Sequence, residues 1–194
     1  MNKGRLIAIT GPAAVGKSTI ARKLQATLVQ NGDLWLVIEL DGFGRSMPRD
    51  WIALGEHKGR FAEHGFAYTR AGDESIDPRL GVDGRRVLAA FHRSVAAVVT
   101  SGVNVICETI LYGDEDWDDW SEALTDISVC WVKLGAPIAV LEAREKADRS
   151  DVFHGLARGM SARPAVGSFD FDADTAAEDA GAIVLRIAAA QMHR

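Results

Sequence analysis

Residues 11–18, Gly-Pro-Ala-Ala-Val-Gly-Lys-Ser, constrain the fold more than any other stretch of this chain. The apolar run Leu6 to Thr10 precedes them and reads as a buried strand. After them, Ile20, Leu24 and Leu28 recur at helical spacing, with Arg22, Lys23 and Gln25 off that face, until Asn31-Gly32 stops the helix. A glycine-bounded loop between a strand and a helix can wrap an anion with main-chain N–H groups, while the helix start points its dipole at the charge. The spacing G-x-x-x-x-G-K-[ST] adds a lysine for the β- and γ-phosphates and a hydroxyl for Mg²⁺. Gly11, Pro12, Ala13, Ala14, Val15, Gly16, Lys17 and Ser18, with the adjoining Thr19, therefore predict a nucleoside triphosphate site. Lys17 is expected to take part in catalysis and Ser18 to ligate the metal. The dinucleotide fingerprint G-x-G-x-x-G is absent after this strand, which argues against a dehydrogenase.

Further strands are predicted over Leu34–Leu40, Val103–Cys107 and Ile127–Leu134, with a weak one near Phe169–Phe171. Helices are predicted over Gly84–Thr100, Asp114–Leu124, Ala136–Ala147 and Ala176–Gln191. The first of these carries an apolar stripe of Val87, Phe91, Val95 and Val98, and the third has Pro137 in its first turn. Apolar strands alternating with helices imply an α/β fold, a parallel sheet covered on both faces, folded as a single domain over 1–194. Ligands of such sheets lie at the carboxyl ends of the strands. The loops after Thr10, Leu40 and Cys107 should therefore line one cleft. Residues 43–80 are too irregular and too long for a simple connection. They read as a functional insertion, with a short helix near Trp51 and a small hairpin near Phe66–Thr69.

The net charge of -5 argues against a nucleic-acid partner held by bulk charge. No apolar run is long enough for a bilayer span, and the N-terminal apolar run is too short for a signal-peptide core. Cys107 and Cys130, each inside a strand, read as buried free thiols. The expected location is the cytoplasm, with no membrane partner. Homo-oligomerisation stays open.

Two acids end predicted strands. Asp41 sits where a carboxylate can take the proton of an acceptor hydroxyl or hold it in line with a γ-phosphate. Glu108 sits at the corresponding end of the third strand, where it can orient a substrate or reach Mg²⁺ through water. Arg144, Arg149, Arg158 and Arg163 follow the fourth strand, and a closing loop over 148–164 could bring their charge to a transferring phosphoryl group while excluding water. The acidic run Asp114 to Asp119 answers the dipole of its helix, and Trp117 and Trp120 read as packing.

The order of these features resembles the chloramphenicol phosphotransferase-like family. It rests on the loop at 11–18, Asp41 leading to Met47-Pro48, the run Val105 to Glu108, the run Val129 to Leu134, and Arg144-Glu145 leading to Arg149-x-Asp151. It also rests on Phe169-Asp170-Phe171 leading to Asp174-Thr175, so it spans nearly the whole chain. The resemblance implies a P-loop NTPase fold with a lid and a five-stranded parallel sheet like that of nucleoside-monophosphate and shikimate kinases. It also implies ATP·Mg²⁺-dependent phosphorylation of a hydroxyl on a small-molecule antibiotic, with Asp41 as base and Arg144 and Arg149 as lid arginines. The family more often has paired aspartates where this chain has Glu108-Thr109, and 57–78 departs most from its pattern.

Two other readings stay open on the residues alone. One is a kinase of an anionic primary metabolite, for which the insertion offers Arg45, Arg49, Lys58, Arg60 and Arg70. The other is a nucleotide-binding switch.

Overall fold

The computed structural model describes residues 3–30, 32–148, 150–164 and 166–191. Its central sheet contains β1 (Leu6–Thr10), β2 (Trp35–Glu39), β7 (Asn104–Glu108), β8 (Val129–Gly135) and β9 (Phe171–Asp174). The order is β2-β7-β1-β8-β9, and every pair is parallel. Parallel neighbours need crossovers, and helices supply them.

Alternate residues of each strand face opposite layers. Ile7, Ile9, Ile106 and Val132 pack with Ile20, Leu24 and Leu28 of α1 (Lys17–Val29) and with Ile183 and Ile187 of α7 (Ala180–Gln191). Leu6, Ala8, Val105 and Cys107 pack with Leu88, Phe91, Val95 and Val99 of α3 (Val82–Thr100) and with Trp120 of α4 (Asp114–Ala123). Burial on both sides explains why these strands read as continuous apolar runs. Both cysteines are buried, and neither forms a disulfide among the described residues.

Several boundaries differ from the expectation, each for a local reason. Strand β2 stops at Glu39, and the chain turns at once into the short helix α2 (Leu40–Gly44), so Asp41 lies in a helical turn. The last strand begins at Phe171 rather than Phe169, because Asp170 accepts a hydrogen bond from the Trp131 N–H at 2.8 Å and donates its own to Trp131 O at 2.9 Å. The final helix begins at Ala180 rather than Ala176. Asp174 Oδ1 accepts the N–H groups of Ala176 and Ala177, holding a turn there, and Asp179 Oδ1 accepts the Gly181 N–H at 2.8 Å.

Residues 43–80 hold more order than expected. A 3₁₀ turn at Arg49–Trp51 and a hairpin of β5 (Phe66–Arg70) and β6 (Ile76–Leu80) meet the expectation. The strands β3 (Ile52–Leu54) and β4 (His57–Lys58) complete a second sheet of order β4-β3-β5-β6. Pro78 is tolerated in β6 because that strand is the sheet's edge. After β8, α5 (Ile138–Asp148) and α6 (Leu156–Ser161) flank a 3₁₀ turn at Asp151–Phe153. Among the described residues, no helix is long and apolar enough to cross a membrane.

Candidate active site

The loop after β1 is built from unusual backbone angles. Gly11, Ala14 and Gly16 have φ of 147°, 58° and 96°. A Cβ on Gly11 would stand 2.4 Å from Leu134 O, so only glycine lets the loop pass the end of β8. Ala14 adopts the left-handed region without being glycine, a strain typical of sites that hold ligands. Ala13 and Val15 are buried and root the loop in the core, while Ser18 and Thr19 are exposed. Gly16 stands at the N-cap of α1 in the left-handed region and has no side chain with which to cap the helix. Lys17 Nζ donates to Gly11 O at 2.8 Å and Pro12 O at 2.9 Å, folding back across its own loop.

Ser18 Oγ donates to Glu108 Oε2 at 2.8 Å. Glu108 is 6% exposed, and its Oε1 is buried with no hydrogen-bond partner among the described residues. Burial pushes its carboxyl above the usual range. The Ser18 bond opposes that shift, the Glu39 charge adds to it, Lys17 opposes it and Asp41 adds to it. Glu108 thus lies within electrostatic reach of Lys17 and Asp41 as well as bonded to Ser18, at the strand ends where the sequence predicts a cleft. Asp41 itself is exposed, in the first turn of α2.

Glu39 is a further acid of this cleft that the sequence reading missed. It pairs in register with Glu108 across β2 and β7, so both side chains leave the same face of the sheet. Arg22 and Arg45 lie 3.4 and 3.9 Å from its two carboxylate oxygens. The readable signal was its spacing of two residues before Asp41 at a strand end.

The arginines are placed differently from one another. Arg144 donates to Thr175 Oγ1 and Thr175 O, both at 2.9 Å, which ties α5 to the turn after β9. Its fork is thus committed at the β8–β9 side of the cleft. Arg149 lies outside the described residues. Arg158 pairs with Glu142 at 2.7 Å. Arg163 donates to Tyr112 O at 2.8 Å, to Asp77 Oδ1 at 2.7 Å and to Pro78 O. Glu145 is a second missed acid: it is 1% exposed and accepts the N–H groups of Gly155 at 2.7 Å and Ala157 at 2.8 Å, fixing the start of α6.

Two cavities adjoin these elements. One of about 290 Å³ is lined by Gly11, Pro12, Ile110, Tyr112, Lys133 and Phe169, among others. The other, about 500 Å³, lies beside Arg79, Arg85, Tyr112, Asp114, Asp119 and Arg163. Among the described residues, no cluster of three or more His, Cys, Asp or Glu forms a metal cage. A hydroxyl and one orphaned carboxylate oxygen are nonetheless hard oxygen donors of the kind that suit Mg²⁺, which keeps several waters.

A five-stranded parallel α/β sheet with this loop opening its first helix defines a P-loop protein. Residues 4–191 match the family described as chloramphenicol phosphotransferase-like protein, and the chain belongs to that family. No curated protein sequence matches it significantly. Similar solved structures include the Mycobacterium tuberculosis APS kinase CysC in complex with AMPPNP and APS, at 16% identity and TM-score 0.66, with 96% of each chain covered. The Deinococcus radiodurans tunicamycin resistance protein is 18% identical with TM-score 0.60, over 97% of this chain and 95% of that one. A gluconokinase from Sinorhizobium meliloti 1021 is 16% identical with TM-score 0.60, over 97% and 92%. At these identities the likeness concerns the fold.

Proposed function

We propose that this protein is an ATP-dependent phosphotransferase that moves the γ-phosphoryl group to a hydroxyl of a small molecule, with a neutral antibiotic such as chloramphenicol as the first acceptor to test. The observation that carries the reading is a phosphate-type loop with Lys17 folded across it and Ser18 bonded to Glu108, with Asp41 near enough for its charge to act on Glu108.

The chain's own groups have distinct tasks in this reading. The loop amides and the α1 dipole hold the phosphates. Lys17 gives up Gly11 O and Pro12 O for the β- and γ-oxygens, keeping its positive charge where negative charge moves in the transition state. Ser18 and Glu108 would hold Mg²⁺, which would supply charge neutralisation on the phosphate oxygens. Asp41 accepts the acceptor's hydroxyl proton. The freed oxygen bonds to the γ-phosphorus, the bond to the bridging oxygen breaks, and ADP leaves. Residues 150–164 serve as the lid and 43–80 as the acceptor wall within a single cytoplasmic domain.

A neutral acceptor is tested first because two of the insertion's five named cations are already answered within the protein: Arg45 pairs with Glu39, and Arg70 with Glu74 at 3.2 Å. The test is a panel of hydroxylated antibiotics and anionic sugar acids, read by a phosphoryl mass shift with MgATP. Phosphorylation of a neutral alcohol supports the reading. Transfer to sugar acids alone would replace the acceptor class, and nucleotide binding without any phosphorylated product would favour a switch.

A further inference from the structure

We propose that Arg163 is a positioning residue that makes the lid and the acceptor hairpin a single moving body; this rests on reading 150–164 as a kinase lid and 43–80 as its acceptor wall. Helix α6 lies directly on β6. A Cβ on Gly155 would stand 2.0 Å from Glu74 O, and one on Gly159 would stand 1.9 Å from Ile76 O. The Ile76 N–H donates to Gly155 O at 2.9 Å. Contact this close leaves no layer of side chains along which lid and hairpin could slide.

Arg163 closes the arrangement at its other end. One guanidinium nitrogen serves Asp77 and Pro78 of the hairpin, and the other serves Tyr112 O in the turn that leads away from Glu108. Its Nε is buried with no hydrogen-bond partner among the described residues, so its hydrogen bonds run through those two nitrogens alone, and the Tyr112 ring centre lies 5.5 Å from its guanidinium carbon. Lifting α6 away from the hairpin would strand the Ile76 amide and the Arg163 fork in partly buried surroundings, which is costly. Lifting both together keeps these contacts; it breaks the link to Tyr112 along with the bonds of α6 to Glu145 and Glu142, which any lifting of α6 must break. The favoured motion therefore opens the nucleotide side and the acceptor side at once. In that arrangement the phosphate site is not shut over an open acceptor site, where water would take the phosphoryl group instead.

Native-state hydrogen exchange on the full chain tests this without any nucleotide. Peptides covering 156–161 and 76–80 should lose protection together, with the same denaturant dependence. Arg163→Lys and Asp77→Asn should each lower protection in both peptides by about tenfold, and the double variant should add little to either single change. Separate opening of α6 and the hairpin in the wild-type protein would overturn the proposal, and so would additive effects of the two substitutions. A second arm adds AMPPNP with Mg²⁺. Protection should rise in both peptides of the wild-type protein, but only in 156–161 of Arg163→Lys. A rise confined to 156–161 in the wild-type protein overturns the coupling. Absence of protection at 11–19 would refute nucleotide binding, while the nucleotide-free arm still decides the coupling.

Discussion

The Ser18 hydroxyl donates to Glu108 across 2.8 Å, joining the first turn of α1 to the carboxyl end of β7. Strand β7 lies directly beside β1, so the loop between β1 and α1 is braced from the next strand. The carboxylate oxygen that does not receive this bond is left buried and unmatched among the described residues. That unmatched atom is what an arriving cation would meet.

Replacing Glu108 by Gln should therefore separate stability from ligand binding. The carboxyl is raised above its ordinary value of 4.5, chiefly by burial. The native state then binds more protons than the unfolded chain, so the group's contribution is full below about pH 4.5 and lost as pH rises through the raised value. In EDTA, the wild-type protein should lose stability across that rise, and Glu108→Gln should show a flatter profile. The same variant should bind Mn²⁺ with nucleotide more weakly. Denaturant titrations at several pH values and Mn²⁺ spectroscopy check the two halves.

Asp41→Asn should lower turnover by about 10²- to 10⁴-fold, the range for a lost general base. Nucleotide affinity should stay close to the wild-type value, because Asp41 is exposed on α2 and not part of the phosphate loop. Calorimetry with AMPPNP beside a turnover assay separates these effects, and unchanged turnover removes Asp41 from its role.

Lys17→Met should instead act on nucleotide binding and turnover alike. The lysine's bonds to Gly11 O and Pro12 O are exchanged for phosphate contacts, so its loss should weaken nucleotide binding as well as turnover, by roughly 10²-fold or more. Thermal stability should change little, since a typical hydrogen bond contributes only about 1 kcal/mol. A folded variant that binds nucleotide as tightly as wild type would refute the assignment.

Phe91→Ala should destabilise the fold by about 3–5 kcal/mol, the usual cost of removing a buried aromatic side chain. Phe91 is fully buried and meets Phe43 and Trp120 edge-on at 5.5 and 6.0 Å. Phe43 belongs to the same helix as Asp41. Phe43→Ala, at a half-buried position, should cost less stability yet still lower turnover by loosening that helix. Denaturation curves and turnover on the two variants distinguish the effects.

The central sheet was readable because its inner strands are buried on both faces, which writes them as unbroken apolar runs such as Leu6–Thr10. The phosphate loop was readable because its glycines and lysine have few other uses at that spacing. The second sheet was largely unreadable. Strand β4 is exposed and polar, and β3 is half-buried with an apolar run of only three residues, so pairing with other strands decides their form. Glu39 and Glu145 were missed because nothing in the residues beside an acid records what will face it after folding. Arg144 illustrates the converse: its charge suggested a phosphate partner, while Thr175, distant in sequence, holds it in the folded chain.

Strand β1 occupies the middle of its sheet, and β2 is the rim, bonded to β7 alone. The 11–18 loop is thus seated at the centre of the layered core, whereas Asp41 and the start of the 43–80 insertion follow the rim strand. Such a division would let the outer portion change without disturbing the central loop, as a tool bit is changed in its holder.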